Sequence, residues 1–269
     1  LALAPAPTAA QGEVWRMSTF NVSIVIAADG SARVTETITA DFLEPRHGIF
    51  RYVPYKGVDD AGKGYQLDID LKSVTVDGVE TDAETSKEGD NVVWKIGDAD
   101  TAIEGKHVYA LTYRVDGAIR SFEDFAEFYW NVTGEGWDVP LSVVGGDVFL
   151  PGYRSPLRSA CYTGVHGSTF TNCQIGLVDG SAIFYTLKPG EPLTIALGIS
   201  KGVIIGPPFW KRALKAVVHY GPWLLPFFVL AFVYRRWRKN GADAPLGTIK
   251  RRLHVARKRL AKEVEPMAV

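Results

Sequence analysis

The sequence predicts a mainly β protein: an antiparallel β-sandwich, then a single transmembrane helix and a short basic tail. Three observations carry this. Before residue 205, apolar and polar residues alternate in short runs broken by Gly, Asp, Asn and Pro, and no segment holds a helical period. Residues 213–234, ALKAVVHYGPWLLPFFVLAFVY, are apolar enough to suggest a span. At 1.5 Å per helical residue they reach roughly 33 Å, against a hydrocarbon core of about 30 Å. Finally, the net charge of zero is divided: residues 235–269 hold 11 basic and 3 acidic residues, and the preceding chain 19 and 27.

The chain opens with LALAPAPTAA, without an initiator Met. Small residues of this kind surround secretory cleavage sites, so residues 1–12 are expected to be a signal-peptide remnant cut after Ala10; a disordered Ala/Pro leader is the alternative. Residues 13–203 are the expected extracytoplasmic β domain. Phe20, Val22, Ile24 and Ile26 alternate, Asp29-Gly30 turns the chain, and Ala32, Val34, Ile38 and Phe42 resume the alternation, which is a hairpin pattern. Leu67, Ile69 and Leu71 follow, then Val74 and Val76 into a second turn at Asp77-Gly78. Further strands are predicted over 92–96, 109–115, 127–132, 147–150, 160–163, 170–175, 182–187 and 193–199, with a helical turn at 121–126. This spacing fits either one sandwich or two packed β subdomains with a seam at 117–120.

The two cysteines, Cys161 and Cys173, close a short loop in the part placed outside. A disulfide in an oxidising compartment is expected there; two buried thiols are the alternative. Neither Cys nor His spacing suggests a metal, and nothing in the sequence calls for a cofactor.

Residues 204–212 read as a linker or interfacial segment and 213–234 as the span, with a kink at Gly221-Pro222. A buried core helix is the alternative reading. Trp210, Trp223, Tyr234 and Trp237 suit an aromatic membrane anchor. Arg235, Arg236, Arg238 and Lys239 suit lipid headgroups and the positive-inside rule, which puts the C-terminus in the cytoplasm. In the tail over 235–269, a helix at 250–264 would gather Leu253, Ala256, Leu260 and Val264 on one side, with Ile249 just before it, and basic residues elsewhere. Such a helix suits an anionic inner leaflet; a solvated tail is the alternative. Nucleic acid is not an expected partner, because the location is wrong for it. The expected partners are the lipid bilayer and an envelope protein or wall polymer.

Few residues suggest chemistry. Arg46, His47 and Arg51 crowd one loop and suit an anion or a partner's carboxylate. The bland reading has Ile49, Phe50 and Val53 plugging the sandwich while the charges face water. Phe128-Tyr129-Trp130, with Trp137 beyond, reads as a core strand and turn or as an aromatic strip for sugar. The candidate surface set is therefore Arg46, His47, Arg51, Glu127, Trp130 and Trp137. Glu123, Asp124 and Glu127, or Asp68 and Asp70, lack the spacing of a calcium loop. His166 and Ser168 lie close in sequence, but not as a triad does. Asn21 and Asn131 begin glycosylation sequons.

Several phrases together resemble a known family. They are Asp29-Gly-Ser-x-x-Val-Thr-Glu-Thr-Ile38, His47-Gly-Ile-x-Arg51 with Pro54, and Glu127-Phe-Tyr-Trp-Asn-Val-Thr-Gly134 with Trp137 and Pro140. Val148-Phe-Leu-Pro151 and Tyr234-Arg-Arg-Trp-x-Lys-x-Gly241, with Asp243, Pro245 and Gly247-Thr, complete the set. In that order they resemble the YciQ-like predicted membrane proteins, a domain of unknown function, over roughly 15–249. The resemblance implies an exported β-rich domain and a first membrane helix. Family members usually continue into further spans; here a basic segment follows Ile249, as in a truncated, frame-shifted or short form. The expected function is a non-enzymatic envelope module for binding or assembly. The alternatives are an envelope hydrolase or transferase using His47 or the 123–127 carboxylates, and a sensor signalling through the tail.

Overall fold

The computed structural model describes residues 14–58, 62, 64–134, 136–139, 141, 144–152, 154–164, 168–178, 181–186, 191–206, 209–240 and 246–264. The leader expected over 1–12 and His166 lie outside them. The chain forms two compact units, residues 1–207 and 208–269.

In the first unit, β1 (Trp15–Ile26) and β2 (Ala32–Arg46) form the long predicted hairpin. Short strands follow: β3 (Ile49–Pro54), β4 (Lys56–Val58) and β5 (Gly64–Gln66). Next come β6 (Asp68–Val76), β7 (Val79–Glu80), β8 (Ala83–Glu88), β9 (Asn91–Ile96) and β10 (Ile103–Asp116). The second half contributes β11 (Ile119–Ser121), β12 (Phe125–Asn131), β13 (Val144–Phe149), β14 (Arg158–Thr163), β15 (Cys173–Val178), β16 (Ser181–Thr186) and β17 (Leu193–Ser200).

An eight-stranded sheet, ordered β15-β16-β13-β1-β2-β10-β6-β7, makes one layer. The β11-β12-β17-β14 and β3-β9-β8 sheets supply the facing side chains, and β4-β5 is a separate hairpin. Contacts tie the layers together. The Tyr113 ring of the large sheet lies 4.9 Å from Trp94 of β9 and 6.4 Å from Trp130 of β12. Cys161 of β14 and Cys173 of β15 form a disulfide that joins the layers at one end.

Period-2 alternation decides what is inside. On β2, Ala32, Val34, Glu36, Ile38, Ala40 and Phe42 are buried; on β10 the buried set is Tyr109, Leu111, Tyr113 and Val115. Apart from Glu36, these side chains belong to one continuous apolar core that also takes in β3, β9, β12 and β17. The alternative of two subdomains with a seam at 117–120 is therefore corrected to a single core.

Three other expectations change. Strands β1 and β13 pair in parallel, so the sandwich is mostly rather than wholly antiparallel. The helical turn expected at 121–126 is a tight connection between β11 and β12, closed by Phe122 N donating to Phe125 O at 2.9 Å. Phe50, expected to plug the core, is 50% exposed, and Arg51 takes the inward position between Ile49 and Val53.

The second unit holds two helices, α1 (Phe209–Asn240) and α2 (Leu246–Val264). Among the described residues, no helix is long and apolar enough to cross a membrane, so the span expected over 213–234 is not shown. The side chains of Trp210 and Trp223 lie outside the described residues. Those of Tyr234 and Trp237 are exposed, with rings 6.1 Å apart, and Arg235, Arg236, Arg238 and Lys239 are exposed on the same helix.

Candidate functional site

Arg51 is the residue around which the site is built. With Ile49 and Val53 it faces the core from β3, and its side chain is fully buried. Burying a guanidinium is costly unless every N–H finds an acceptor. Here all five do. Nε donates to Glu36 Oε2 at 2.7 Å, and Nη2 to Glu36 Oε1 at 2.6 Å and to the Val132 carbonyl at 3.0 Å. Nη1 donates to the Tyr52 carbonyl at 2.5 Å and the Thr133 carbonyl at 2.7 Å. Tyr113 Oη adds a third donor to Glu36, 2.5 Å from Oε1. The Phe20 and Trp137 rings flank the guanidinium at 5.3 and 5.7 Å.

The charges support one another. Burial alone would lower the Arg51 pKa, but the adjacent Glu36 carboxylate overrides it and holds the group above its ordinary value. Burial, reinforced by the Glu36 charge, pushes the Tyr113 phenol well above 10. The phenol therefore stays a neutral donor.

This network fixes the end of β12. Asn131 Oδ1 accepts from Gly134 N at 2.9 Å, and Trp137 Nε1 donates to the Thr133 carbonyl at 2.9 Å. Gly134 sits at φ +69°, and a Cβ there would lie 2.7 Å from Arg51 Nη1 and against the Tyr52 carbonyl. Only glycine fits both the turn and the approach of the guanidinium. Arg51 thus ties β3, which continues through Tyr55 into the β4–β5 hairpin, to the chain leaving β12.

Between that hairpin and the outer face of the β11-β12-β17-β14 sheet lies a cleft of about 510 Å³. Its floor follows from register. Phe128 and Trp130 point inward, so Tyr129 and Asn131 point outward. Asn131 pairs with Thr194, which pairs with Tyr162, and in the neighbouring row Tyr129 pairs with Ala196, which pairs with Ala160. Of these rows, Tyr129, Asn131, Thr194 and Tyr162 line the cleft.

Arg120 stands at the wall, its Cζ 4.6 Å from the Tyr129 ring centroid and 5.3 Å from that of Tyr65 on β5. Burial raises the Tyr65 pKa, opposed by Arg120. At the other rim Lys56 pairs with Asp90 at 3.1 Å, and the bond to Asp90 raises the Lys56 pKa.

The structure separates the candidate surface set. Arg51 and Trp130 are core residues, because their strand parity turns them inward. Trp137 is half-buried beside Arg51. Arg46 lies 3.5 Å from Asp138 and over the Trp15 ring. His47 is exposed, with Nδ1 3.2 Å from the carbonyls of Asp98 and Thr101. Glu127 is half-buried, directly across from Arg120 on the cleft side of β12. Tyr65, Arg120, Asn131, Tyr162 and Thr194 were not among the candidates. Outward parity on 127–132 carried a signal for Tyr129 and Asn131, whereas Tyr65 and Arg120 reach the cleft only through tertiary structure. Among the described residues, no group of three His, Cys, Asp or Glu is placed to hold a metal ion.

No curated protein matches the sequence. Among solved structures, yeast LTA4 hydrolase in complex with bestatin is 12% identical, with a TM-score of 0.47 over 69% of this chain and 29% of that one. An M1 zinc metallopeptidase from Deinococcus radiodurans is 9% identical, with a TM-score of 0.38 over 69% of this chain and 42% of that one. The chain spans less than half of either protein, and likeness at this level carries no argument about activity. The family described as "Predicted membrane protein (DUF2207) N-terminal domain" matches residues 16–199. That match holds the residues of the buried Glu36–Arg51 network and the floor of the cleft, and the chain belongs to this family of predicted membrane proteins.

Proposed function

We propose that this protein is a membrane-anchored module of the cell envelope whose exported β domain binds an envelope polymer in the Tyr65–Tyr129 cleft. The observation that carries the reading is the cleft itself. It is an open trough whose floor offers an aromatic ring, an amide and hydroxyls on a rigid sheet. Rings stack on the apolar faces of sugars, and planar amides bond their hydroxyls. The Glu36–Arg51 network holds the wall and the floor in place, as a preformed site requires.

The membrane part of the proposal draws on the family and on α1. From Phe227 to Val233 its described apolar side chains are exposed, reaching 69% at Phe228, as suits a helix surrounded by lipid. In this reading α1 spans the bilayer with the β domain outside. The basic α2, with Leu253 and Leu260 exposed, then lies against the anionic inner leaflet.

Co-sedimentation of the full-length chain with purified, insoluble wall polysaccharide tests the binding claim. Retention of the wild type and at least about tenfold weaker retention of a folded Tyr129→Ala variant are expected, the loss of one stacking contact. Equal retention of the two proteins would contradict the proposal.

A further inference from the structure

Resting on the reading of the cleft as the binding surface, we infer that Arg120 is its anion-recognition group. The preferred ligand is then a polyol chain bearing carboxylate or phosphate, not a neutral glycan.

Three observations lead there. First, Arg120 is held by two rings rather than by a carboxylate. Tyr65 and Tyr129 approach its Cζ at 5.3 and 4.6 Å, and among the described residues no acidic oxygen lies within ion-pair distance of it. Glu127 is its cross-strand neighbour but makes no such pair. Rings that pack against a guanidinium leave its N–H edge for a planar anion, the geometry in which arginine binds carboxylate or phosphate through two parallel bonds.

Second, the other charges of the described cleft lining cancel, Glu127 on the same face lying outside that lining. Lys56 is taken by Asp90 at 3.1 Å, so the lining keeps one uncompensated positive charge, on Arg120. An acidic ligand would be attracted to it, and a cationic one turned away.

Third, the neighbours suit the rest of such a ligand. Asn131, Thr194 and Tyr162 form one row of amide and hydroxyl groups across the floor, placed to bond the hydroxyls of a sugar or glycerol unit whose acidic group sits at Arg120. Carboxylate in a uronic acid and phosphate in a polyol phosphate share this chemistry, so both are tested.

The probes are oligogalacturonate, its methyl ester as the neutral counterpart, and oligo(glycerol phosphate). Each is titrated against the full-length chain by isothermal calorimetry. One or both acidic oligomers should bind at least about tenfold more tightly than the ester, and Arg120→Gln should remove that preference. Arg120→Lys should restore only part of it, because the charge returns without the planar fork. If Arg120→Gln lowers the unfolding midpoint, Arg120→Lys with an unchanged midpoint decides the matter. Equal binding of ester and acid that is lost in Tyr129→Ala would overturn the anion inference and leave the cleft as a neutral glycan site. Binding of the acids that ignores both Arg120→Gln and Tyr129→Ala, or binding of no probe, would overturn it as well; in the first case the cleft falls with it. Whichever acidic oligomer binds more tightly assigns the source of the anion.

Discussion

Replacing Arg51 with Met tests whether the buried network holds the β domain together. The variant keeps roughly the shape of the side chain but removes five N–H donors. It strands the Glu36 carboxylate, fully buried, with Tyr113 Oη as its remaining donor from the network. The carbonyls of Tyr52, Val132 and Thr133 lose bonds of 2.5, 3.0 and 2.7 Å. A buried acceptor left unmet costs about 1–3 kcal/mol, and breaking a buried ion pair from one side costs about 3–5 kcal/mol. These terms overlap, so about 3–5 kcal/mol is the expected total, a large part of the 5–15 kcal/mol typical of a domain. For a domain of this size that lowers Tm by roughly 6–20 °C. The assay is urea unfolding of the full-length chain followed by near-ultraviolet circular dichroism. Glu36→Met and the double variant complete a cycle. The double variant should lose less than the sum of the singles, because neither then leaves a lone charge in the core. A loss below about 1 kcal/mol for Arg51→Met, or simple additivity, would refute the reasoning.

Two further outcomes follow. Asp29 accepts from the Ser31 hydroxyl and backbone N–H, and less strongly from Arg114, which together hold its carboxyl at about 2 instead of 3.8. A lowered folded-state pKa gives stability that is present in full above the unfolded value and lost as pH falls through the folded one. Because Asp29 is partly solvated, Asp29→Ala should cost about 1 kcal/mol at pH 7 and little below pH 2, read from midpoints across that range. Replacing Cys161 and Cys173 by Ser should cost about 3 kcal/mol by the loop-entropy account and remove a reductant-dependent shift in gel mobility; an unchanged midpoint would show that the bond between the layers is dispensable.

Much of the fold was legible because long alternating strands declare themselves. The β1–β2 hairpin, with Asp29-Gly30 between matched runs, is the clearest case. Strands such as Lys56–Val58, Gly64–Gln66 and Ala83–Glu88 carry almost no apolar alternation, and neighbours decide them. The tight turn at 122–125 resembled a helical turn because four residues can close either way. Its Phe122–Phe125 stack, with centroids 4.7 Å apart, is a tertiary outcome.

The buried pair was legible in principle. Glu36 has the same parity as Val34 and Ile38, and Arg51 the same parity as Ile49 and Val53. Opposite charges at inward positions of two strands are what a buried salt bridge needs. The expectation that charges face water sent Arg51 to the surface and Phe50 inward. Of the strand read alternatively as an aromatic strip for sugar, Phe128 and Trp130 turn into the core and Tyr129 turns to the outer face. Arg120 and Tyr65 come together from separate strands, and no local pattern signals that meeting.

The proposed topology puts the β domain outside the cell and the basic tail within it. The most direct test is protease treatment of intact and permeabilised cells carrying the full-length chain tagged after Val269. That topology predicts digestion of the β domain in intact cells, with the tag protected until permeabilisation. A tag cut in intact cells beside a protected β domain would contradict it.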